Sequence, residues 1–199
     1  MASDMHRITL IPGDGIGPEV VAATQKVLVT AGVAIEWDIH HAGLEGGSGV
    51  PVSLATSRPV GTPIGGGFRS VNVTLRQTLD LYANVRPIRS LPNVEKRFDV
   101  DMVIVRENTE GLYAGLELMI LPGVAQSIKL TTEKSSTRIA RFAFDYARKN
   151  ERKRVTFVHK ANIMKISDGL ALDCTRRVAK SYGDIELAEM IVDAAAMTM

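Results

Sequence analysis

Short apolar runs alternate with longer amphipathic stretches along most of the chain. Residues 7–11 form an apolar run with β-branched side chains that ends at a proline and glycines, which predicts a buried strand. A helix is predicted over 18–31, because Pro18 lacks the N–H that stays unbonded in a first helical turn and Gly32 follows the last turn. Residues 34–41 alternate apolar and polar side chains and predict a second strand. The order strand, helix, strand is typical of an α/β protein with a parallel sheet.

Regular patterns return in the second half of the chain. Helices are predicted over 70–79, 132–149 and 167–181, and strands over 81–85, 101–105, 154–158 and 185–192, with a further helix in the last residues. The stretch 43–67 differs, because it is rich in glycine and proline and has no periodic apolar positions. Two interpretations stay open there, a long loop or the remnant of a lost helix and strand.

Composition and charge restrict the function classes. An apolar share of 45% with 23% charged residues is typical of a folded globular protein and excludes disorder of the whole chain. The net charge of +2 gives no overall attraction to nucleic acid or to an anionic membrane, so we expect neither as a partner. A single cysteine, Cys174, and an opening MASDMHR without a signal or transit pattern lead us to expect a reducing, cytoplasmic compartment.

A glycine-rich turn follows the first predicted strand. The sequence Gly13-Asp-Gly-Ile-Gly17 departs from the dinucleotide fingerprint G-x-G-x-x-G, since the third glycine position holds Pro18. The glycines either permit a tight strand-to-helix turn or allow a ligand to approach the N–H groups at the start of the helix.

The middle of the chain carries a local excess of positive charge, which favours an anionic ligand. The candidate anion-binding residues are Ser70, Asn72, Arg76, Arg86 and Arg106. Ser70 is at a predicted helix start, where its hydroxyl can receive a carboxylate, and the next two share a helix face. The last two are expected at the carboxyl ends of two strands, where open α/β sheets usually bind ligands. Arginine matches carboxylates best, so we favour a small polyanion over a solvated basic surface.

Three further residues carry candidate proton-transfer or metal chemistry. Tyr113, Lys160 and Asp193 have ordinary structural alternatives as a packing residue, a surface charge and a helix cap. A lysine directly after an apolar strand is the most unusual of them, because partial burial suits it to proton transfer. An aspartate offers one hard oxygen ligand to a divalent metal, and one ligand does not make a metal site.

Several long motifs resemble, in order, those of the β-decarboxylating dehydrogenases, the isocitrate and isopropylmalate dehydrogenase family. They are PGDGIGPE, FRSVNVTLR, LDLYANVRP, RENTEGLYAG, RIARFAFDYA, VHKANIMKISDGL and IVD. The pattern is most similar to the NAD-dependent isocitrate dehydrogenases, since the serine and asparagine of S-x-N-x-x-L-R are associated with isocitrate in the family. The resemblance implies an α/β, incomplete isopropylmalate-dehydrogenase-like fold. A partial large, cofactor-side domain covers 1–81, and a nearly complete small domain covers 82–199, with a dimer clasp at about 112–132.

The resemblance also implies a role for each candidate residue. Ser70, Asn72, Arg76, Arg86 and Arg106 hold the carboxylates of isocitrate, Tyr113 and Lys160 transfer protons, Thr62 and Asn162 contact NAD (NADP is not excluded), and Asp193 binds Mg²⁺ or Mn²⁺. The implied assembly is a homodimer with shared active sites, in which the partner subunit supplies the lysine and the aspartate. The lysine assists loss of the C2 hydroxyl proton during hydride transfer, and the tyrosine protonates the enolate left by loss of CO₂.

The expected function is metal-dependent oxidative decarboxylation of isocitrate to 2-oxoglutarate. The family pattern also implies a C-terminal truncation and an internal deletion over 43–62, so we expect the 199-residue chain alone to be a weak or inactive enzyme. The alternatives are a non-catalytic binding or regulatory subunit of the same family, or a homoisocitrate or tartrate dehydrogenase.

Overall fold

A computed structural model of the chain describes residues 5–41, 55–56, 71–95 and 99–198. The chain divides into two compact units, Met1–Leu79 and Asp80–Met199. The predicted assignment of these regions to a large cofactor-side domain and a small domain stays a prediction. Within the described ranges, no helix combines the length and the apolar character that crossing a membrane requires.

The first unit is built on the predicted strand, helix, strand order. It contains β1 (His6–Leu10), α1 (Gly17–Thr30), β2 (Ile35–Ile39), β3 (Ala55–Thr56) and α2 (Val71–Thr78). Both β2 and β3 pair with β1 in parallel, which confirms the expected parallel sheet. Gly13 and Gly15 in the turn before α1 have φ values of 78° and 59°, a left-handed backbone that favours glycine. The tight turn therefore accounts for two of its glycines.

The second unit combines antiparallel and parallel strand pairs with three helices. Its elements are β4 (Ala83–Arg89), β5 (Asp101–Glu107), β6 (Gly111–Leu121), β7 (Val124–Leu130), α3 (Glu133–Lys149), β8 (Arg154–His159), α4 (Ser167–Ala179), β9 (Glu186–Ile191) and α5 (Val192–Thr198). The pairs β4–β5 and β6–β7 are antiparallel, and β8–β9 is parallel.

One face of α3 supplies the centre of the second unit's apolar core. Phe144 is fully buried, and its ring stacks on that of Tyr182 with 5.0 Å between centroids. Ala140 and Ala147 lie one turn away on each side of Phe144, so the same stripe of the helix is buried. The helix begins after Thr132, whose side chain accepts a hydrogen bond from the Ser135 N–H.

The β6–β7 hairpin is an element that the periodicity did not predict. Pro122 and Gly123 form its turn, and the φ of 80° at Gly123 is the conformation that glycine tolerates. Leu116 lies opposite Ile128 in the register, and side chains two residues along a strand share its face. A hairpin face of partly exposed apolar side chains results, Leu116, Leu118, Ile128 and Leu130.

Candidate functional site

The register of β4 and β5 brings two of the predicted arginines onto one sheet face. Asn84 pairs with Arg106, and Arg86 pairs with Ile104. Paired residues project on the same side of an antiparallel sheet, and side chains alternate along each strand. Arg86 and Arg106 therefore lie diagonally across the strand pair, and the Nε of Arg86 donates a hydrogen bond to the Asn84 Oδ1 at 3.1 Å.

The same face continues to Tyr113 at the beginning of β6. The guanidinium carbon of Arg106 lies 4.6 Å from the centroid of the Tyr113 ring, a cation–π contact. The tyrosine is 36% exposed, so it is not the buried packing residue of the structural alternative. Three of the candidate residues are thus assembled as a basic and phenolic face, which we call the arginine face (Arg86, Arg106 and Tyr113).

The expected placement at the carboxyl end of a strand is wrong for Arg86, whereas Arg106 does lie at the carboxyl end of β5. β4 continues four residues past the predicted end at Val85, which puts Arg86 inside the strand, and antiparallel pairing sends the two carboxyl ends to opposite edges. Pro87 lies inside β4, although proline usually interrupts a hydrogen-bond ladder. Within the described part of the chain β4 pairs only with β5, and a strand with one free edge accepts proline.

The opposite face of β4–β5 is directed towards α3. It carries Val85, Val103 and Val105, which are half-buried, and β5 packs on α3. Glu107, at the end of β5 on this face, accepts a hydrogen bond from the Ser135 hydroxyl at 3.1 Å. One face of the strand pair is therefore anchored, which leaves the arginine face open to a ligand.

Two glutamates had no role in the sequence analysis, Glu107 at the end of β5 and Glu110 in the turn before β6. Glu107 accepts hydrogen bonds from the backbone N–H of Thr109 at 3.0 Å and of Glu110 at 2.8 Å. Burial would raise the pKa of Glu107, but these bonds and those from the Thr109 and Ser135 hydroxyls outweigh it and keep the pKa below its ordinary value. No local pattern in RENTEG indicates this role, because the side chains that commonly bond nearby backbone groups are those of serine, threonine, asparagine and aspartate.

Lys160 and Asp193 come together at the carboxyl ends of two parallel strands. β8 and β9 pair with His159 opposite Ile191, so the residues that follow each strand lie at the same edge. The Lys160 Nζ donates a hydrogen bond to the Asp193 Oδ2, and this bond is the main cause that lowers the pKa of Asp193. The lysine side chain is 30% exposed, which agrees with the expected partial burial.

A buried carboxylate that the sequence analysis overlooked supports this strand end. Asp168, in the first turn of α4, is 7% exposed. Its Oδ2 accepts a hydrogen bond from the Lys160 N–H at 2.7 Å, and its Oδ1 pairs with the Lys129 Nζ from β7. Lys160 was selected because it directly follows an apolar strand. The sequence pattern of α4 gave no sign that Asp168 binds the backbone N–H of Lys160.

A divalent metal does not fit the donors that this structure brings together. Mg²⁺ and Mn²⁺ favour several oxygen ligands, and Asp193 supplies one carboxylate, which already pairs with Lys160. Among the residues that the structure describes, no group of three His, Cys, Asp or Glu side chains lies close enough to bind a metal. We therefore derive no step through a metal.

The remaining candidates lie in or near the turns and in the first unit. Asn162 is exposed two residues after Lys160, at the same strand end. Arg76 is half-buried in α2, and Asn72 belongs to the same helix. Thr62, Ser70 and the predicted internal deletion over 43–62 lie outside the described residues, apart from β3.

Comparison with known proteins gives a family match over nearly the whole chain. The sequence model described as isocitrate/isopropylmalate dehydrogenase matches residues 7–199. A protein of Drosophila melanogaster named probable isocitrate dehydrogenase (NAD) subunit alpha, mitochondrial, is 48% identical over 212 residues, which is 100% of this chain and 56% of the relative. A 3-isopropylmalate dehydrogenase, chloroplastic, of Solanum tuberosum is 44% identical over 99% of this chain and 59% of the relative.

A solved structure has the same fold. The isocitrate dehydrogenase from Methylococcus capsulatus superposes with a TM-score of 0.91 at 51% identity, covering 98% of this chain and 63% of that protein. This match confirms the expected mixed α/β fold and the resemblance on which it rested. The chain spans less than two thirds of the length of each of these relatives.

The expected cytoplasmic compartment is wrong by this comparison. Several relatives at 46–48% identity, including those of Homo sapiens and Bos taurus, are named mitochondrial isocitrate dehydrogenase subunits. The expectation rested on one cysteine and on the first seven residues. A low cysteine count restricts the redox state of a compartment and does not distinguish one reducing compartment from another.

Proposed function

The chain belongs to the isocitrate/isopropylmalate dehydrogenase family, and from this premise we propose that it takes part in the NAD-dependent oxidative decarboxylation of isocitrate to 2-oxoglutarate. Relatives named isocitrate dehydrogenase (NAD), at about 48% identity over the full length of this chain, support that reaction and support a mitochondrial location. The single observation that carries the proposal is the arginine face, because two arginines on one sheet face suit a substrate with several carboxylates.

Arg86 and Arg106 bind carboxylates of the substrate in this proposal. A guanidinium donates two parallel hydrogen bonds to a carboxylate, and the diagonal placement across β4 and β5 lets two carboxylates of one small molecule be held together. The same role is proposed for Ser70, Asn72 and Arg76 on the resemblance alone. The positive charge of the arginines attracts the tricarboxylate, and the direction of their hydrogen bonds orients it.

Proton transfer is assigned to Lys160 and Tyr113. In this proposal Lys160 assists loss of the C2 hydroxyl proton while the hydride leaves C2, and Tyr113 gives a proton to the carbon from which CO₂ has left. The Lys160 Nζ is held by Asp193, so the amine has to leave that hydrogen bond to act on the substrate. The resemblance assigns the lysine and the tyrosine of one site to different subunits.

NAD, which the names of the relatives support, would be the hydride acceptor of the proposed reaction. We propose Thr62 and Asn162 as contacts of NAD, with NADP not excluded, and Asp193 as one ligand of Mg²⁺ or Mn²⁺. The exposed amide of Asn162, two residues from Lys160, supports a cofactor near the reacting carbon. The metal needs further oxygen ligands beyond the donors described above.

A homodimer is the proposed assembly, with the β6–β7 hairpin as its contact. Apolar side chains of this hairpin are 38–66% exposed, including Leu130 and Met119, and soluble proteins seldom leave such a stretch uncovered. A second copy of the same hairpin would cover the face. Relatives are named subunit alpha, so a mixed assembly is the other outcome of a test.

The experiment that tests the proposal is calorimetric titration of the 199-residue chain with isocitrate, in the presence of Mg²⁺. We expect Arg86→Ala to weaken binding at least about tenfold, because a charge-assisted bidentate contact is lost. Arg89→Ala is the matched control, since Arg89 lies on the same strand but on the opposite face, where it pairs with Asp101.

Equal loss of binding in the two variants would contradict the role of the arginine face. Titration with 3-isopropylmalate tests the second substrate of the family, which the relative at 44% identity makes relevant. Tighter binding of 3-isopropylmalate than of isocitrate would make 3-isopropylmalate the proposed substrate. The role of the arginine face in binding carboxylates would be unchanged.

A further inference from the structure

The turn 108–110 connects β5, which carries Arg106, to β6, which carries Tyr113. Glu107 precedes the turn, Glu110 lies within it, and neither has a role in the reaction proposed above. We propose that Glu107 and Glu110 are positioning residues that hold the guanidinium of Arg106 against the ring of Tyr113. This inference rests on the proposed function, because it concerns two residues of the arginine face.

Glu107 fixes the backbone of the turn from inside. Its side chain is 21% exposed, and its two oxygens accept hydrogen bonds from the backbone N–H groups of Thr109 and Glu110 and from the hydroxyls of Thr109 and Ser135. Four donors on one carboxylate leave it little freedom to rotate. Arg106 directly precedes Glu107, so the same anchor restricts the backbone that carries the arginine side chain.

Glu110 fixes the other end of the turn to α3. Its Oε2 accepts a hydrogen bond from the Thr132 N–H at 2.9 Å, and its Oε1 accepts one from the Thr132 hydroxyl at 2.6 Å. Thr132 in turn accepts from the Ser135 N–H at 3.1 Å, and the Ser135 hydroxyl reaches Glu107. The four side chains close a ring between the turn and the first turn of the helix.

The half-buried Arg138 adds a second connection to the same turn. The Nη2 of Arg138 donates to the Thr109 hydroxyl at 2.8 Å, and its Nη1 lies 2.8 Å from both oxygens of Asp80. The guanidinium also covers the ring of Tyr82 at 4.4 Å. Thr109 is therefore held from two sides, by Glu107 and by Arg138.

These contacts exceed what capping of α3 requires. Thr132 already caps the helix through the Ser135 N–H, whereas both backbone bonds of Glu107 go to residues outside the helix. The extra bonds restrict the three-residue turn between β5 and β6. Arg106 lies on the strand before this turn, and Tyr113 lies on the strand after it. Such restriction is what a site needs, because small displacements of a binding group weaken its alignment with a ligand.

The test compares Glu110→Ala with Glu110→Gln and with Glu133→Ala. Glutamine keeps one acceptor for the Thr132 N–H and a donor for its hydroxyl, so it restores the link. Glu133 is an acid in the first turn of the same helix that pairs with Arg177 and does not contact the turn. The readouts are the nuclear Overhauser contact between the Arg106 δ-protons and the Tyr113 ring, and isocitrate binding by calorimetry.

We expect Glu110→Ala to lose the Arg106–Tyr113 contact and to bind isocitrate about tenfold more weakly. Glu110→Gln and Glu133→Ala are expected to retain both. A folded Glu110→Ala protein that keeps the contact overturns the inference. If the unaltered chain shows the Arg106–Tyr113 contact but binds no isocitrate, the proposed function fails. The inference is then tested only by whether Glu110→Ala loses that contact. If Glu110→Ala does not fold, Glu110→Asp, which keeps the charge on a shorter side chain, replaces it.

Discussion

At the scale of single residues, hydrogen bonds between charged side chains join residues that are far apart in the sequence. Lys160 and Asp193 are separated by 33 positions, and only the parallel pairing of β8 with β9 brings them together. The sequence analysis selected both residues but not their mutual contact. A strand register is a property of two distant segments, and neither segment carries it alone.

Removal of the Lys160 amine tests the electrostatics of this pair. We expect Lys160→Met to raise the pKa of Asp193 towards its ordinary value, because the hydrogen bond from Lys160 is the main cause that lowers it. In the unaltered chain the Asp193 carboxylate therefore stays ionised to lower pH than in the variant. The carboxyl ¹³C shift of Asp193, followed through an acid titration, measures the difference. Lys165→Met, an exposed lysine in the following turn, is the control, and an equal rise there would contradict the assignment.

Loss of the buried carboxylate at the same strand end tests its stabilising role. We expect Asp168→Ala to lower the free energy of unfolding by about 2 kcal/mol, because the Lys160 N–H and the Lys129 ammonium both lose a charged acceptor. Asp173→Ala on the same helix removes an exposed ion pair with Arg176 and is expected to cost less than about 0.5 kcal/mol. Urea denaturation of the two variants gives the comparison, and similar losses would argue against a special role for Asp168.

At the scale of elements, periodicity predicted the helices and most strands because one face of each is buried. The stripe around Phe144 is such a case, and α3 begins and ends within one residue of the prediction. The β6–β7 hairpin was missed because β6 carries apolar side chains on both faces, so its sequence does not alternate regularly. The Pro122-Gly123 pair was the available signal.

The packing of α3 provides the prediction at this scale. We expect Phe144→Ala to lower the free energy of unfolding by about 3–5 kcal/mol, because a fully buried ring leaves a cavity beside Tyr182. Phe142→Ala, two positions along the helix and half-buried, should cost clearly less. Thermal or chemical unfolding of both variants measures the difference. The core assignment would be wrong if the two losses were the same.

At the scale of the whole molecule, the β6–β7 hairpin exposes a set of large apolar side chains. The sequence resemblance suggested a clasp for this region without showing its strands, and the register now identifies which side chains share a face. The anion-binding candidates of the first unit were predicted from local charge and from helix spacing, and their role stays a prediction. The compartment could not be predicted from composition at all.

Self-association is the prediction at this scale. We expect Leu118→Glu to shift the chain from dimer to monomer in sedimentation velocity, because a carboxylate on an apolar contact face has to be desolvated when a second copy binds. Ser127→Lys is the control on the other hairpin face, where its ammonium lies opposite Glu117. A Leu118→Glu protein that sediments like the unaltered chain would exclude this face as the contact.

The register of β4 and β5 also limits how this region can change in evolution. Side chains alternate with a period of two, so one residue inserted between Asn84 and Arg86 would turn the arginine towards α3 and bring its neighbour to the ligand side. An insertion between the strands, at 90–100, leaves that parity intact, because both strands keep their pairing. Insertions of any length in the connection are therefore compatible with the arginine face. Insertions inside the strand are compatible with it only when they add an even number of residues.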